Sequence, residues 1–359
     1  MPLLRGYQRT RGRRAAALRP HDHRRTYHKR RAIGRRTASY PSMQNCPSGL
    51  RPHLVKRFYH DIDMVNCHPT LMLQVALKMG VPPEEMETLE EYVRGEEDEN
   101  GRSGRERILH RIATHFGVSR EWAKEGVLRV LNGGSIQKWM ADARCTRGRD
   151  EPQHDLESLQ EEARRVREAF FAMDQFRPHV QALTKELRAS TQAALEQAKR
   201  AVRAAKSPVA KAAAQKQREN AQAKATSHAI RRSVFSHCIF ELEDMVLTVI
   251  DEHFREKGWT VSSLQYDGMH VLHRRTAAPA AAAWNQRHGF GPARRVPRAA
   301  VDIAPVMASA VAAVKAKLGY EIQLTEKELF EHVPTDEQQA ADDAEEDVDM
   351  ADVDSEDEA

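Results

Sequence analysis

The sequence predicts an α+β fold: a small antiparallel sheet packed by helices, a long helical insertion, and charged, disordered arms at both ends. Period-two alternation of apolar and polar residues marks a strand at 58–65 and a hairpin at 260–272, while the stretch between them carries apolar residues at helical spacing. Sixteen Lys and Arg stand against a single acid, Asp22, in residues 1–57, and residues 331–359 hold fourteen acids and no Lys or Arg. Like-charge blocks of this kind repel themselves and bury too little apolar surface to order.

Read in order, the chain divides into a basic arm (1–53), a strand with the helices that follow it (54–145), a charged helical insertion (146–232), a helix, hairpin and closing helix and strand (233–328), and an acidic tail (329–359). After the first strand and Pro69, the apolar residues 71–79 predict a helix that stops at Gly80. Residues 82–104 read as a helix and loop. Helical spacing resumes at Arg105, breaks at Gly117, restarts at the N-cap Ser119 and ends at Asn132-Gly133-Gly134. Residues 155–233, rich in Ala, Lys, Arg, Glu and Gln with breaks at Pro178 and Pro208, predict an inserted hairpin of exposed helices. Val234, Ile239, Leu242, Val246 and Ile250 give the next helix its apolar face, and Gly258 ends it. The hairpin turns at Asp267-Gly268, a common turn pair. Residues 274–299, rich in Ala, Pro and Arg, predict a disordered stretch, and a helix at 301–318 and a strand at 320–324 close the fold.

No run of about 18 apolar residues is present, so no membrane span is expected. Cys46, Cys67, Cys145 and Cys238 lie far apart with no C-x-x-C pair, which argues for a reducing compartment and against a zinc site or disulfide framework. The Arg-rich first forty residues read either as an arm that contacts phosphates or as an organelle transit peptide, so nucleus and organelle both stay open.

The residues that suggest chemistry are Asp63, at the end of one strand, and Asp267, at the tip of the hairpin. Phosphoryl transfer onto a growing strand uses two divalent metals held by carboxylates from adjacent strands. Asp267 alone is equally well explained as a turn residue. Arg120 and Lys124, four residues apart on one helical face, can both reach a triphosphate, although an amphipathic helix with exposed cations has the same pattern.

Three segments together resemble the DNA polymerase I-type (family A) enzymes, in a divergent form such as viruses or mobile elements carry. Asp63-Met64-Val65-Asn66-Cys67-His68-Pro69 is similar to the family's first motif, with Asp61 as a second candidate for the metal ligand. His68 falls where the family places a Glu that screens the sugar 2′ position. Asp63-x5-Pro69 also echoes the Tyr-Pro motif of family B. Arg120, Lys124 and Asn132-Gly133 match the spacing of the family's Arg-x3-Lys-x7-Tyr-Gly helix, with Asn132 in place of the stacking ring. Leu264-Gln265-Tyr266-Asp267-Gly268 is similar to Leu-Gln-Val-His-Asp-Glu, with Gly268 replacing the Glu.

The resemblance implies a palm sheet and helical fingers. Asp63, Asp267 and Lys124 would be catalytic, and Asp63 and Asp267 would hold two Mg²⁺, or Mn²⁺. Arg120, Lys124, His68, Asn132 and Gly133 would bind the nucleotide, and Gln265 and Tyr266 would sit at the primer terminus. The partners implied are a DNA or RNA primer–template and nucleoside triphosphates. No segment is long enough for a thumb, so the expectation is a palm and fingers core. Two other readings share these features: a non-catalytic nucleic-acid-binding protein, and a single-subunit RNA polymerase that differs in sugar selection.

Overall fold

The computed structural model describes residues 27–28, 33, 36–38, 43–44, 46, 58–145, 152–265, 267–273, 275–277 and 298–327. In chain order the strands are β1 (Tyr27–His28), β2 (Thr37–Ala38), β3 (Tyr59–Met64), β4 (Val261–Gln265), β5 (Gly268–Leu272), β6 (Arg275–Ala277), β7 (Arg298–Ala300) and β8 (Leu324–Lys327). The helices are α1 (Cys67–Lys78), α2 (Glu87–Arg94), α3 (Gly104–Phe116), α4 (Arg120–Leu131), α5 (Ile136–Asp142), α6 (His154–Ala172), α7 (Arg177–Ala204), α8 (Pro208–Lys224), α9 (Ser227–Glu256) and α10 (Ala304–Leu318). Two compact units divide at the start of α1 and again between Glu243 and Asp244 within α9.

The first unit is built on a four-stranded sheet in the order β4-β5-β3-β8, antiparallel throughout. Alternation sorts its side chains onto two faces. Ile62, Met64, Val261, Leu264, Met269 and Val271 are buried on one, in a core that includes Leu247, Ile250 and Phe254 of α9 and Val306, Ala310 and Val314 of α10. His253 Nε2 meets Ser309 Oγ at 2.8 Å, tying α9 to α10. The opposite face is polar: Asp61 and Asp63 of β3 pair with His270 and Gly268 of β5, and these with Ser263 and Gln265 of β4.

The second unit is helical. Leu71, Met72, Leu73, Val75 and Ala76 make α1 apolar nearly all round, and they are wholly buried. Phe116 meets Trp139 edge-to-face at 5.1 Å, as Phe170 meets Phe235 at 5.3 Å. Helix starts follow the expected chemistry: Ser119 Oγ accepts from Trp122 N and Ser207 Oγ from Ala210 N, and Gly117 closes α3 at φ 65°. At α2 the N-cap, Met86, has no capping side chain. The buried carboxylate of Glu162, from α6, accepts from Thr88 N at 3.0 Å and Leu89 N at 2.7 Å instead.

Several expectations change. The arm 1–53 is not wholly irregular: β1 pairs with β2, Ile33, Ala38, Gln44 and Cys46 are buried, and Arg36 is ion-paired with Asp244. Within the insertion, α6 is not an exposed helix. Leu156, Leu159, Ala163, Val166 and Phe170 are buried, and only α7 and α8 form the exposed hairpin. The helical stretch does break at Pro178 and Pro208, and each proline sits in the first turn of the helix that follows, where it removes no needed donor. Helix α5 was not anticipated. The stretch 274–299 is bounded by paired strands, β6 and β7. The closing strand lies at Leu324–Lys327 instead of 320–324, and it pairs with β3. Among the described residues, no helix is long and apolar enough to cross a membrane.

Candidate metal centre on the four-stranded sheet

Asp63 is the penultimate residue of β3, with Gly268 of β5 as its register partner. Pairing continues past the strand end, where Met64 N donates to Asp267 O at 3.1 Å. Gln265 pairs with Gly268, so Gly268 already belongs to β5 and Asp267 is a turn residue before it. Tyr266 itself lies outside the described residues.

Gly268 is therefore not the turn residue that the Asp-Gly pair suggested. A Cβ there would lie 2.4 Å from Ile62 O and 3.0 Å from Asp63 Oδ1. The glycine lets the Asp63 carboxylate lie close over β5, beside Asp267. The same close approach leaves no room for the Glu of the family motif.

The electrostatics follow from this closeness. Burial raises the Asp63 pKa, and the neighbouring Asp267 raises it further as a like charge and hydrogen-bond partner; Lys327 offsets part of this, and the value rests at about 7. Lys327 Nζ lies 2.8 Å from Asp63 Oδ2. Burial works against the Lys327 charge, yet Asp63, Asp267 and Asp61 together hold its pKa above the usual lysine range. Lys327 was not legible as a site residue, because the closing strand was expected to end at 324.

A buried polar chain runs along the same face. Gln265 Nε2 lies 3.3 Å from Ser263 Oγ, Ser263 Oγ lies 2.8 Å from His270 Nδ1, and His270 Nε2 lies 3.6 Å from Asp61 Oδ1. If Gln265 donates to Ser263 and Ser263 to His270, the network places the imidazole proton on Nε2, facing Asp61. The order Ser-His-Asp looks like a nucleophilic triad, but Ser263 is 4% exposed and its hydroxyl is used within the chain. Ser263 and His270 form a buried polar contact on the face that carries Asp61, whose Oδ1 lies beyond hydrogen-bond distance of His270 Nε2. Gln265 Oε1 is buried without a hydrogen-bond partner among the described residues. Strand alternation places His270 and Ser263 on the polar face but carries no signal for the network they form.

The donors present suit a hard divalent cation. Asp63 and Asp267 offer carboxylate oxygens already in contact, with Asp61 on the same face and an ammonium held beside them as a stand-in charge. Among the described residues, no group of three His, Cys, Asp or Glu side chains is arranged to hold a metal. An ion here would take two protein carboxylates and fill its shell with water or phosphate oxygens, as Mg²⁺ does and Mn²⁺ can.

The remaining sequence-predicted residues belong to the second unit. Arg120 and Lys124 stand one turn apart on α4, and Arg120 is paired through two nitrogens with Glu106 of α3. His68 Nε2 lies 3.5 Å from the fully buried Glu243, and its ring packs against Phe240 at 5.5 Å. Asn132 caps α4, its Nδ2 donating to Leu128 O at 3.0 Å, and Gly133 follows at φ 79°.

No protein-family model matches the chain, and no curated protein matches it in sequence.

Proposed function

We propose that this chain carries out template-directed nucleotidyl transfer of the DNA-polymerase kind, with Asp63 and Asp267 as its metal-binding carboxylates. The observation that carries the reading is the register of β3 against β5, which brings the two acids into contact at the rim of one antiparallel sheet. A bound divalent ion would polarise a phosphoryl oxygen and lower the pKa of a primer hydroxyl. The chain's own part is to present the Asp63 and Asp267 carboxylates side by side, with Asp61 on the same face, and to supply counter-charge from Lys327. The resemblance of the segments around Asp63, Lys124 and Asp267 to family A motifs supports the same reading and assigns Arg120, Lys124 and His68 to the nucleotide, while Asn132 and Gly133 are taken up in closing α4.

The test is primer extension on a primed template with Mg²⁺ or Mn²⁺, with deoxynucleotides and ribonucleotides in parallel. Incorporation that disappears in Asp63→Ala and in Asp267→Ala supports the proposal, and the better-used sugar separates a DNA polymerase from an RNA polymerase.

A second reading, a non-catalytic nucleic-acid-binding protein, is favoured by one observation. Residues 177–224, which hold the hairpin of α7 and α8, carry eleven Lys and Arg against Glu186, Glu196 and Glu219. Salt-sensitive binding by the unmodified chain without incorporation would decide for it.

A further inference from the structure

The second unit contains a cluster of arginines that the carboxylate chemistry does not use. Arg164 and Arg167 stand one turn apart on α6, and Arg231 and Arg232 are adjacent on α9. The two helices pack together, with Phe170 against Phe235 and Arg231 bonded to Glu168 at 2.6 Å. Arg164 is paired with Glu161, and Arg231 also lies over the Phe171 ring at 5.0 Å. Arg167 and Arg232 make no ion pair among the described residues, and Arg167 Nη1 is buried without a hydrogen-bond partner there.

The Arg167 guanidinium is fixed against the turn that ends α4. Gly133 has φ 79°, and a Cβ on it would lie 3.0 Å from Arg167 Nη1 and 3.3 Å from Arg232 Cγ. A side chain there would require both arginines to give by a few tenths of an ångström. The simplest explanation is that Arg167 answers the negative end of the α4 dipole. That accounts for a cation near the turn, but not for three further arginines beside it or for an unsatisfied Nη1. Burial and the charges of Arg231, Arg164 and Arg232 all hold the Arg167 pKa below its usual value, against one opposing acid, Glu168. An unpaired guanidinium held among like charges is costly unless an anion completes it.

We propose that Arg167 and Arg232, flanked by Arg164 and Arg231, form a binding site for the backbone phosphates of a nucleic-acid strand. A single nucleotide's triphosphate is the poorer fit. Such groups are cradled by free backbone amides, and here Gly133 N and Gly134 N are already bonded to Val130 O at 2.8 Å and Arg129 O at 2.7 Å. Arginines repeated along two helices, with Arg232 exposed and without an ion pair among the described residues, suit phosphates repeated along a chain.

The test uses the full chain, a fluorescently labelled single strand of about 20 nucleotides, and anisotropy over a salt series in EDTA, so that metal-dependent chemistry does not contribute. Arg167→Gln with Arg232→Gln is expected to weaken binding about tenfold near physiological salt and to flatten the log–log salt slope by about 0.7 per cation removed. Glu168→Gln, which frees Arg231, is expected to tighten binding about threefold. An unchanged slope in the double variant overturns the proposal. If that variant does not fold, unchanged affinity in Glu168→Gln overturns it. ATP or inorganic phosphate displacing the strand at micromolar concentration assigns the site to a small phosphate compound and overturns the strand assignment. The salt series holds neither metal nor free nucleotide, so failure of the primer-extension test leaves this reading standing.

Discussion

A carboxylate that is buried and lies beside a second carboxylate keeps its proton well into the neutral range, and Asp63 is in that position. Its pKa is about 7 in the fold, against the ordinary value of 3.8. Because the folded value is the higher, the native state binds the proton more tightly. The stability this gives is fully present below pH 3.8 and is lost as pH rises through 7. Across that window the change is on the order of 4 kcal/mol. In EDTA the melting temperature of the parent chain should therefore fall between pH 5 and pH 8, and Asp63→Asn should flatten the fall by removing both the proton and the repulsion with Asp267. Added Mg²⁺ should restore the parent above pH 7 and leave Asp63→Asn unchanged. A parent whose melting temperature is flat over this range in EDTA would show that Asp63 is not held protonated by burial and by Asp267.

At the scale of elements, the same helical composition gave opposite outcomes within one segment. In α6 the apolar residues recur at helical spacing on one face, and Leu156, Leu159, Ala163, Val166 and Phe170 are all buried. In α7 only Leu183, Leu187 and Ala198 are buried, in α8 only Ala214, and Val209 is 81% exposed. Phe170→Ala should cost roughly 3–5 kcal/mol in urea unfolding, since it leaves a cavity where Phe176 and Phe235 meet the ring. Val209→Lys should change stability by less than about 0.5 kcal/mol. Equal losses in the two variants would remove the distinction between a core helix and an exposed hairpin.

For the whole molecule, charge is segregated along the chain far more than the net value of +4 suggests. Fourteen acids in 331–359 can compete with phosphates for the same cations. Removing residues 331–359 should tighten binding to a single-stranded oligonucleotide at low salt, with the difference shrinking as salt rises toward a Debye length of about 8 Å. Equal affinity of the shortened and full chains at low salt would mean that the tail does not reach the basic surface.

The α+β class, most helix boundaries, the β4–β5 hairpin and the positions of Asp63 and Asp267 were legible in the sequence, because periodicity, caps and turn residues are local signals. Ser119 and Gly117 mark helix ends whatever surrounds them. The pairing of β3 with β5 was expected only through resemblance, since register depends on partners about two hundred residues apart. Lys327, the Ser263–His270–Asp61 chain and the steric reason for Gly268 came from strand pairing alone. The cap that Glu162 provides for α2, and the cluster of Arg167 with Arg232, came from helix packing. A sequence states which side chains are available and on which face of an element they lie. Which of them meet is decided by burial of the apolar face opposite, and here burying Ile62, Met64, Met269 and Val271 put Asp61, Asp63 and His270 together on the polar face.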